Sequence, residues 1–175
     1  MFVVDAVEHA LDTHTPQDGL PENIGGTLHL FSDGGSRGNP GHAAIACILE
    51  DRISGTVLVE HFERIGTETN NVAEYRALIK GLELALEFQP NRLICHLDSE
   101  LVVKQVNGEY KVKMATLQPL VEEVQELAAE LPDVVFEHIP RSDNHRADAL
   151  VNRALDELPD PHPSKPKPIP QRPLW

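Results

Sequence analysis

Between residues 27 and 156 the spacing of apolar positions changes several times, and each change predicts a new element. LHLFSD (28–33) alternates as a strand does and runs into the turn-rich GGSRGNPG. AAIACILE (43–50) and TVLVEHFERI (56–65) predict two more strands, joined by a tight turn at Asp51 to Gly55. TETNNVAEYRALIKGLELAL (67–86) then shifts to helical spacing, with Tyr75, Leu78, Ile79, Leu82, Ala85 and Leu86 on one face. A buried strand RLICHLD (92–98) follows, then a short helix SELVVKQV stopped by Asn107-Gly108, and a longer helix over 116–130. Strand VVFEHIP (134–140) and a helix from Asp143, burying Ala147, Leu150, Val151 and Ala154, complete the series.

Three consecutive strands, then strands separated by helices, require parallel crossovers with right-handed connections. The expected fold is α/β: a five-stranded mixed sheet with helices packed on its faces. Both ends fall outside this pattern. Residues 1–26 read as an acidic N-terminal extension, in which FVVDAVEHAL makes a short amphipathic helix. Residues 157–175 read as a proline-rich tail in extended polyproline conformation, suited either to a partner domain or to bracing the body.

Composition narrows the class. A chain of 175 residues with 41% apolar content can bury one proper core. No stretch is long and apolar enough to cross a bilayer, and the N-terminus lacks the order of a secretory signal, so a cytoplasmic, monomeric protein is expected. Cys47 and Cys95 lie in apolar strands and read as reduced core residues. The net charge of −13 argues against a protein held to nucleic acid by broad phosphate attraction.

Four acids alter that picture. Asp33 is placed at the end of the first strand and Asp98 at the end of the fourth. If those strands are parallel neighbours, both carboxylates emerge at one carboxyl edge, where open α/β sheets bind ligands. Glu74 lies in the first turn of the first helix, and Asp148 in the first turns of the last. Each has an ordinary explanation. Asp33 serves a turn, Asp98 caps a helix, Asp148 is a solvated charge, and Glu74 completes a capping box with Asn71 as N-cap. Jointly they suggest a different use, because clustered carboxylates repel unless a cation sits among them. Hard divalent ions favour such oxygen ligands, and a pair of them suits phosphodiester hydrolysis.

FSDGGSRGNPG, TNNVAEYRAL, LDSELVVKQVNGEYKVK and IPRSDNHRADALVNRAL, in that order, resemble type 1 ribonuclease H over about residues 27–156. The resemblance is to the compact bacterial and archaeal form that lacks a basic protrusion. It implies a ribonuclease H-like catalytic domain over 27–156 and Mg²⁺-dependent cutting of RNA paired with DNA, with Mn²⁺ as a substitute. It also implies 5′-phosphate and 3′-hydroxyl ends, and a two-ion site held by Asp33, Glu74, Asp98 and Asp148. Asn39, Asn70 and Asn71 match positions that contact the hybrid, and Thr69 matches one that holds a DNA-strand phosphate. His145, three residues before Asp148, does not match the family's loop histidine. Two other readings stay open at this point: an exonuclease of the wider superfamily, and a non-catalytic hybrid-binding module acting through the proline-rich tail.

Overall fold

The computed structural model describes residues 25–162, so the helix expected near the N-terminus and the polyproline segment 163–175 lie outside the described residues. Five strands form one sheet: β1 (Thr27–Gly38), β2 (Gly41–Asp51), β3 (Thr56–Glu68), β4 (Arg92–Leu97) and β5 (Val134–His138). Their spatial order is β3-β2-β1-β4-β5. β1, β2 and β3 pair antiparallel, while β1 with β4 and β4 with β5 pair parallel. The helices are α1 (Asn70–Leu86), α2 (Glu100–Val106), α3 (Gln118–Ala129) and α4 (His145–Glu157), the last preceded by a 3₁₀ turn at Arg141–Asn144.

Alternation along the strands divides the core in two. Leu28, Leu30, Cys47 and Leu49 turn to the face covered by α1 and α3, among Tyr75, Leu78 and Leu82. Phe31, Ala44, Ala46 and Ile48 turn to the opposite face, under Leu150, Val151 and Ala154 of α4. Burial on both faces is why the central strands read as nearly unbroken apolar runs. Cys47 and Cys95 are free and buried, as expected. Residues 158–160 stay on the body, since Leu158 is buried against the α4-side core and Asp160 faces Arg64 and His42.

Several elements differ in extent from the sequence reading. β1 does not stop at Asp33 but continues to Gly38, because β2 pairs with it along the whole length, out to Gly38 opposite Gly41. Its parallel partner β4 leaves earlier, at Phe31 opposite His96. The last helix starts at His145 rather than Asp143, since residues 141–144 wind as the tighter 3₁₀ turn. β5 ends at His138, not Pro140.

Candidate functional site

The parting of β1 from β4 creates the site. Phe31 is the last residue of β1 opposite β4, where it faces His96, so two residues further Asp33 stands level with Asp98. Asp33 is therefore a mid-strand residue, not a strand end, and its carboxyl emerges where the sheet opens. Glu74 joins it from α1. Among the described residues, Asp33, Glu74 and Asp98 each bring an oxygen within 4.8 Å of the other two.

Gly34 makes that approach possible. A Cβ there would overlap the Ala73 carbonyl and come within 2.5 Å of Glu74 N, so only glycine lets β1 pass beneath the start of α1. The same contact lets the Gly34 N–H donate to the Glu74 carboxyl. The capping box inferred from Asn71 and Glu74 is not formed. Thr69 is the N-cap, its Oγ1 accepting from Val72 N–H at 3.3 Å. α1 thus begins earlier than expected, and Glu74 falls past the first turn, too far along to reach back to the cap. Asp98 does not cap α2 either, because Ser99 Oγ accepts from Val102 N–H at 3.3 Å.

Asp148, in the first turn of α4, lines the same cleft of about 180 Å³ but stands outside the close cluster of three. Its Oδ1 accepts from Arg141 Nη2 at 3.3 Å, and that guanidinium is largely exposed. Asn144 is a further residue of the site. This buried side chain donates from Nδ2 to the Ser32 carbonyl at 2.9 Å, tying the start of α4 to β1 beside Asp33. Its amide also hydrogen-bonds Asp98. Only its place in RSDNHRAD, four residues before an acid, hinted at this.

The electrostatics describe a site built for positive charge. Burial raises the Asp33 carboxyl to about 8, helped by the nearby charges of Asp98 and Asp148. Burial, then Asp33 and Asp98, push Glu74 well above the usual carboxylate range. Asp98 is raised chiefly by burial, with its Asn144 hydrogen bond and Arg141 acting the other way. Glu74 Oε2 is buried and meets no donor; the adjacent Asp33 carboxyl can partner it only when one of the two carries a proton. Closely spaced carboxyl oxygens, one of them unsatisfied, are what a hard divalent cation requires. Among the described residues, no thiolate or imidazole lines the cleft to favour a softer metal. The donor set fits Mg²⁺ or Mn²⁺.

Of the expected hybrid contacts, Asn70 lines the cleft, while Asn39, Thr69 and Asn71 are not among its lining residues. Asn39 Oδ1 accepts from Asn70 N–H at 3.0 Å, which locks the GNPG turn to the start of α1. Thr69 Oγ1 accepts the capping bond, leaving its hydroxyl proton free to donate. His145 faces a separate hollow beside Phe31, His96 and Arg146, with Nδ1 3.1 Å from the Ser142 carbonyl.

Comparison with known proteins adds an independent line. The model of a family described as reverse transcriptase-like matches residues 31–154. Ribonuclease HI of Halobacterium salinarum is 39% identical over 160 residues, covering 87% of this chain and 79% of that protein. A bifunctional protein of Mycobacterium tuberculosis is 43% identical over 127 residues, covering 73% of this chain but 35% of its own length. The chain therefore spans about a third of the mycobacterial relatives it matches. Among solved structures, RNase H1 of H. salinarum superposes with a TM-score of 0.72 at 41% identity, covering 75% of this chain and 98% of that one. LC11-RNase H1, crystallised in complex with an RNA/DNA hybrid, gives 0.69 at 43% identity, covering 74% and 96%.

Proposed function

The chain belongs to the type 1 ribonuclease H family, and from that premise we propose that it hydrolyses the RNA strand of RNA/DNA hybrids at internal positions. The observation that carries this reading is the convergence of Asp33, Glu74 and Asp98 from three separate elements onto one point. Asp33 and Asp98 would hold two divalent ions, Mg²⁺ with Mn²⁺ as substitute. Glu74, and Asp148 at the rim, would complete their shells. Such ions supply a nucleophilic water and compensate charge on the leaving oxygen. The water oxygen bonds to phosphorus as the P–O3′ bond breaks, and O3′ keeps the electron pair and takes a proton. The products are 5′-phosphate and 3′-hydroxyl ends.

The remaining assignments are those the family resemblance implies, and side-chain chemistry accords with them. Amides of Asn39, Asn70 and Asn71 both donate and accept, which suits 2′-hydroxyls and base edges in the minor groove. The Thr69 hydroxyl can donate to a phosphate of the DNA strand. The catalytic domain corresponds to 27–156. Two buried free thiols accord with a reducing compartment, so the cytoplasm is the proposed location. The proline-rich tail, which lies mainly outside the described residues, remains a candidate ligand for a partner domain.

The test is an end-labelled RNA/DNA hybrid incubated with Mg²⁺, with an Asp98→Asn variant alongside. Internal cuts that vanish in the variant support the proposal. Stepwise shortening from one end favours an exonuclease, and binding without cutting favours an adaptor; either result refutes the proposed reading.

A pH-dependent metal effect is expected too. The folded-state pKa of Asp33 lies near 8, above its unfolded value of about 4. Its contribution to stability is therefore complete below the lower value and is lost as pH rises through the upper one. Metal needs the ionised form, so the rise in Tm produced by a fixed Mg²⁺ concentration should grow between pH 6 and pH 8.5, roughly the window around that pKa. Thermal unfolding at several pH values, with and without Mg²⁺, measures it. A rise in Tm that is flat with pH would contradict the proton–metal exchange.

A further inference from the structure

The cleft does not end at its carboxylates. β1 alternates its side chains, so Asp33, Gly35 and Arg37 share the face that α4 covers. α4 answers with Asp148, Asn152 and Asp156, four residues apart on one side of the helix. Arg37 lines the same cleft as Asp33 and Asp148. Its Nη1 lies 2.7 Å from Asp156 Oδ1, and its Nη2 donates to Asn152 Oδ1 at 3.5 Å. Asn152 is itself oriented, because its Nδ2 donates to the Asp148 carbonyl at 3.1 Å.

Resting on the hydrolase reading above, we propose that Arg37 binds a phosphate of the strand being cut, next to the scissile one, by exchanging Asp156 for it. Among the described residues, the cations lining the cleft are Arg37 and Arg141. Arg141 faces Asp148 and the carboxylate cluster, whereas Arg37 lies four residues along the strand, about 13 Å from Asp33 between Cα atoms. Its guanidinium sits against Asn152 and Asp156, one and two turns of α4 beyond Asp148, or about 6 and 12 Å along the helix. It is therefore placed for a backbone phosphate beside the reacting one rather than for the reacting phosphate itself. Its planar fork matches phosphate oxygens as well as it matches the Asp156 carboxylate. In a chain of net charge −13, a polyanion gains most from a cation set directly beside the site.

The pair with Asp156 is easily given up. Its side chains are 49% and 61% exposed, and an ion pair so exposed contributes little to folding. Asp156 thus holds the guanidinium at the cleft when nucleic acid is absent, and competes with phosphate when it is present. The two partners should consequently act on substrate binding with opposite signs.

The experiment measures KM and kcat for hybrid cleavage by the full chain over a series of salt concentrations. Arg37→Ala should raise KM several-fold, more than it lowers kcat, and make the dependence of log(kcat/KM) on log salt shallower by about one. Arg37→Lys should keep that slope. Asp156→Asn should lower KM. Both Arg37→Ala and Asp156→Asn remove the same ion pair, so a purely structural role would move their KM values together. Parallel shifts, or an unchanged salt slope in Arg37→Ala, overturn the inference while leaving the hydrolase reading intact. Failure of the unaltered chain to cut hybrid would instead remove the reading on which it rests.

Discussion

Asp98→Asn should stabilise the metal-free protein while removing its activity. The carboxyl is half-buried opposite Asp33, and burial raises its pKa, which means that its ionised form costs folding free energy. Asparagine keeps the shape and leaves an oxygen to accept from Asn144, so the substitution removes charge without opening a hole. Relief of about 1 kcal/mol would raise the Tm of a domain this size by roughly 2–4 °C. Cleavage in Mg²⁺ should fall about a thousandfold, the scale of transition-state stabilisation supplied by a metal ion. The Tm increase on adding Mg²⁺ should shrink in the same variant. Calorimetry with and without Mg²⁺, alongside an end-labelled cleavage assay, reads all three effects. Opposite shifts in stability and activity are hard to obtain from a residue whose role is packing. A drop in the metal-free Tm would show that Asp98 supports the fold rather than straining it.

The second large effect concerns a residue with no side chain. Gly34→Ala places a methyl group against the backbone of Ala73 and Glu74, and backbone cannot rotate aside as a side chain does. The expected cost is about 3 kcal/mol or more, at the upper end for overpacking. It should also separate Glu74 from Asp33, so activity should fall further than stability alone explains. Gly35→Ala provides the control. Its Cβ would meet Val151 Cγ1 at 3.1 Å, a side-chain contact that a small rotamer adjustment relieves. Denaturant unfolding should rank the variants with Gly34→Ala far below Gly35→Ala, and similar midpoints would contradict the close passage of β1 under α1.

The carboxylate cluster was legible because it depends on coarse features. Parallel neighbours present their carboxyl ends at one edge, so the sequence puts Asp33 and Asp98 together on the condition that their strands are parallel neighbours, as β1 and β4 are. The sequence also puts Glu74 near them, but in a capping box with Asn71, which the structure does not form. The cap is Thr69, and the choice among Thr69, Asn70 and Asn71 is decided by how α1 meets the GNPG turn, not by local preference. The length of β1 was illegible for a related reason. GGSRG has turn composition, yet pairing with β2 carries it on as strand, and that pairing is tertiary. This extension is what brings Arg37 into the cleft beside α4. Asn144 was missed because its importance lies in a bond to the Ser32 carbonyl, far away in sequence. The neighbourhoods of Asp33, Glu74 and Asp98 were thus readable from element order, whereas the contacts that fix them depend on close approaches that periodicity does not encode.

A cation shared among carboxyls from β1, α1 and the end of β4 underlies the proposed chemistry, and Mn²⁺ locates it most directly. Anomalous diffraction from crystals grown with Mn²⁺ should show a peak in contact with Asp33, Glu74 and Asp98 together. Mn²⁺ confined to exposed acids elsewhere, with those three carboxyls left empty at saturating metal, would contradict it.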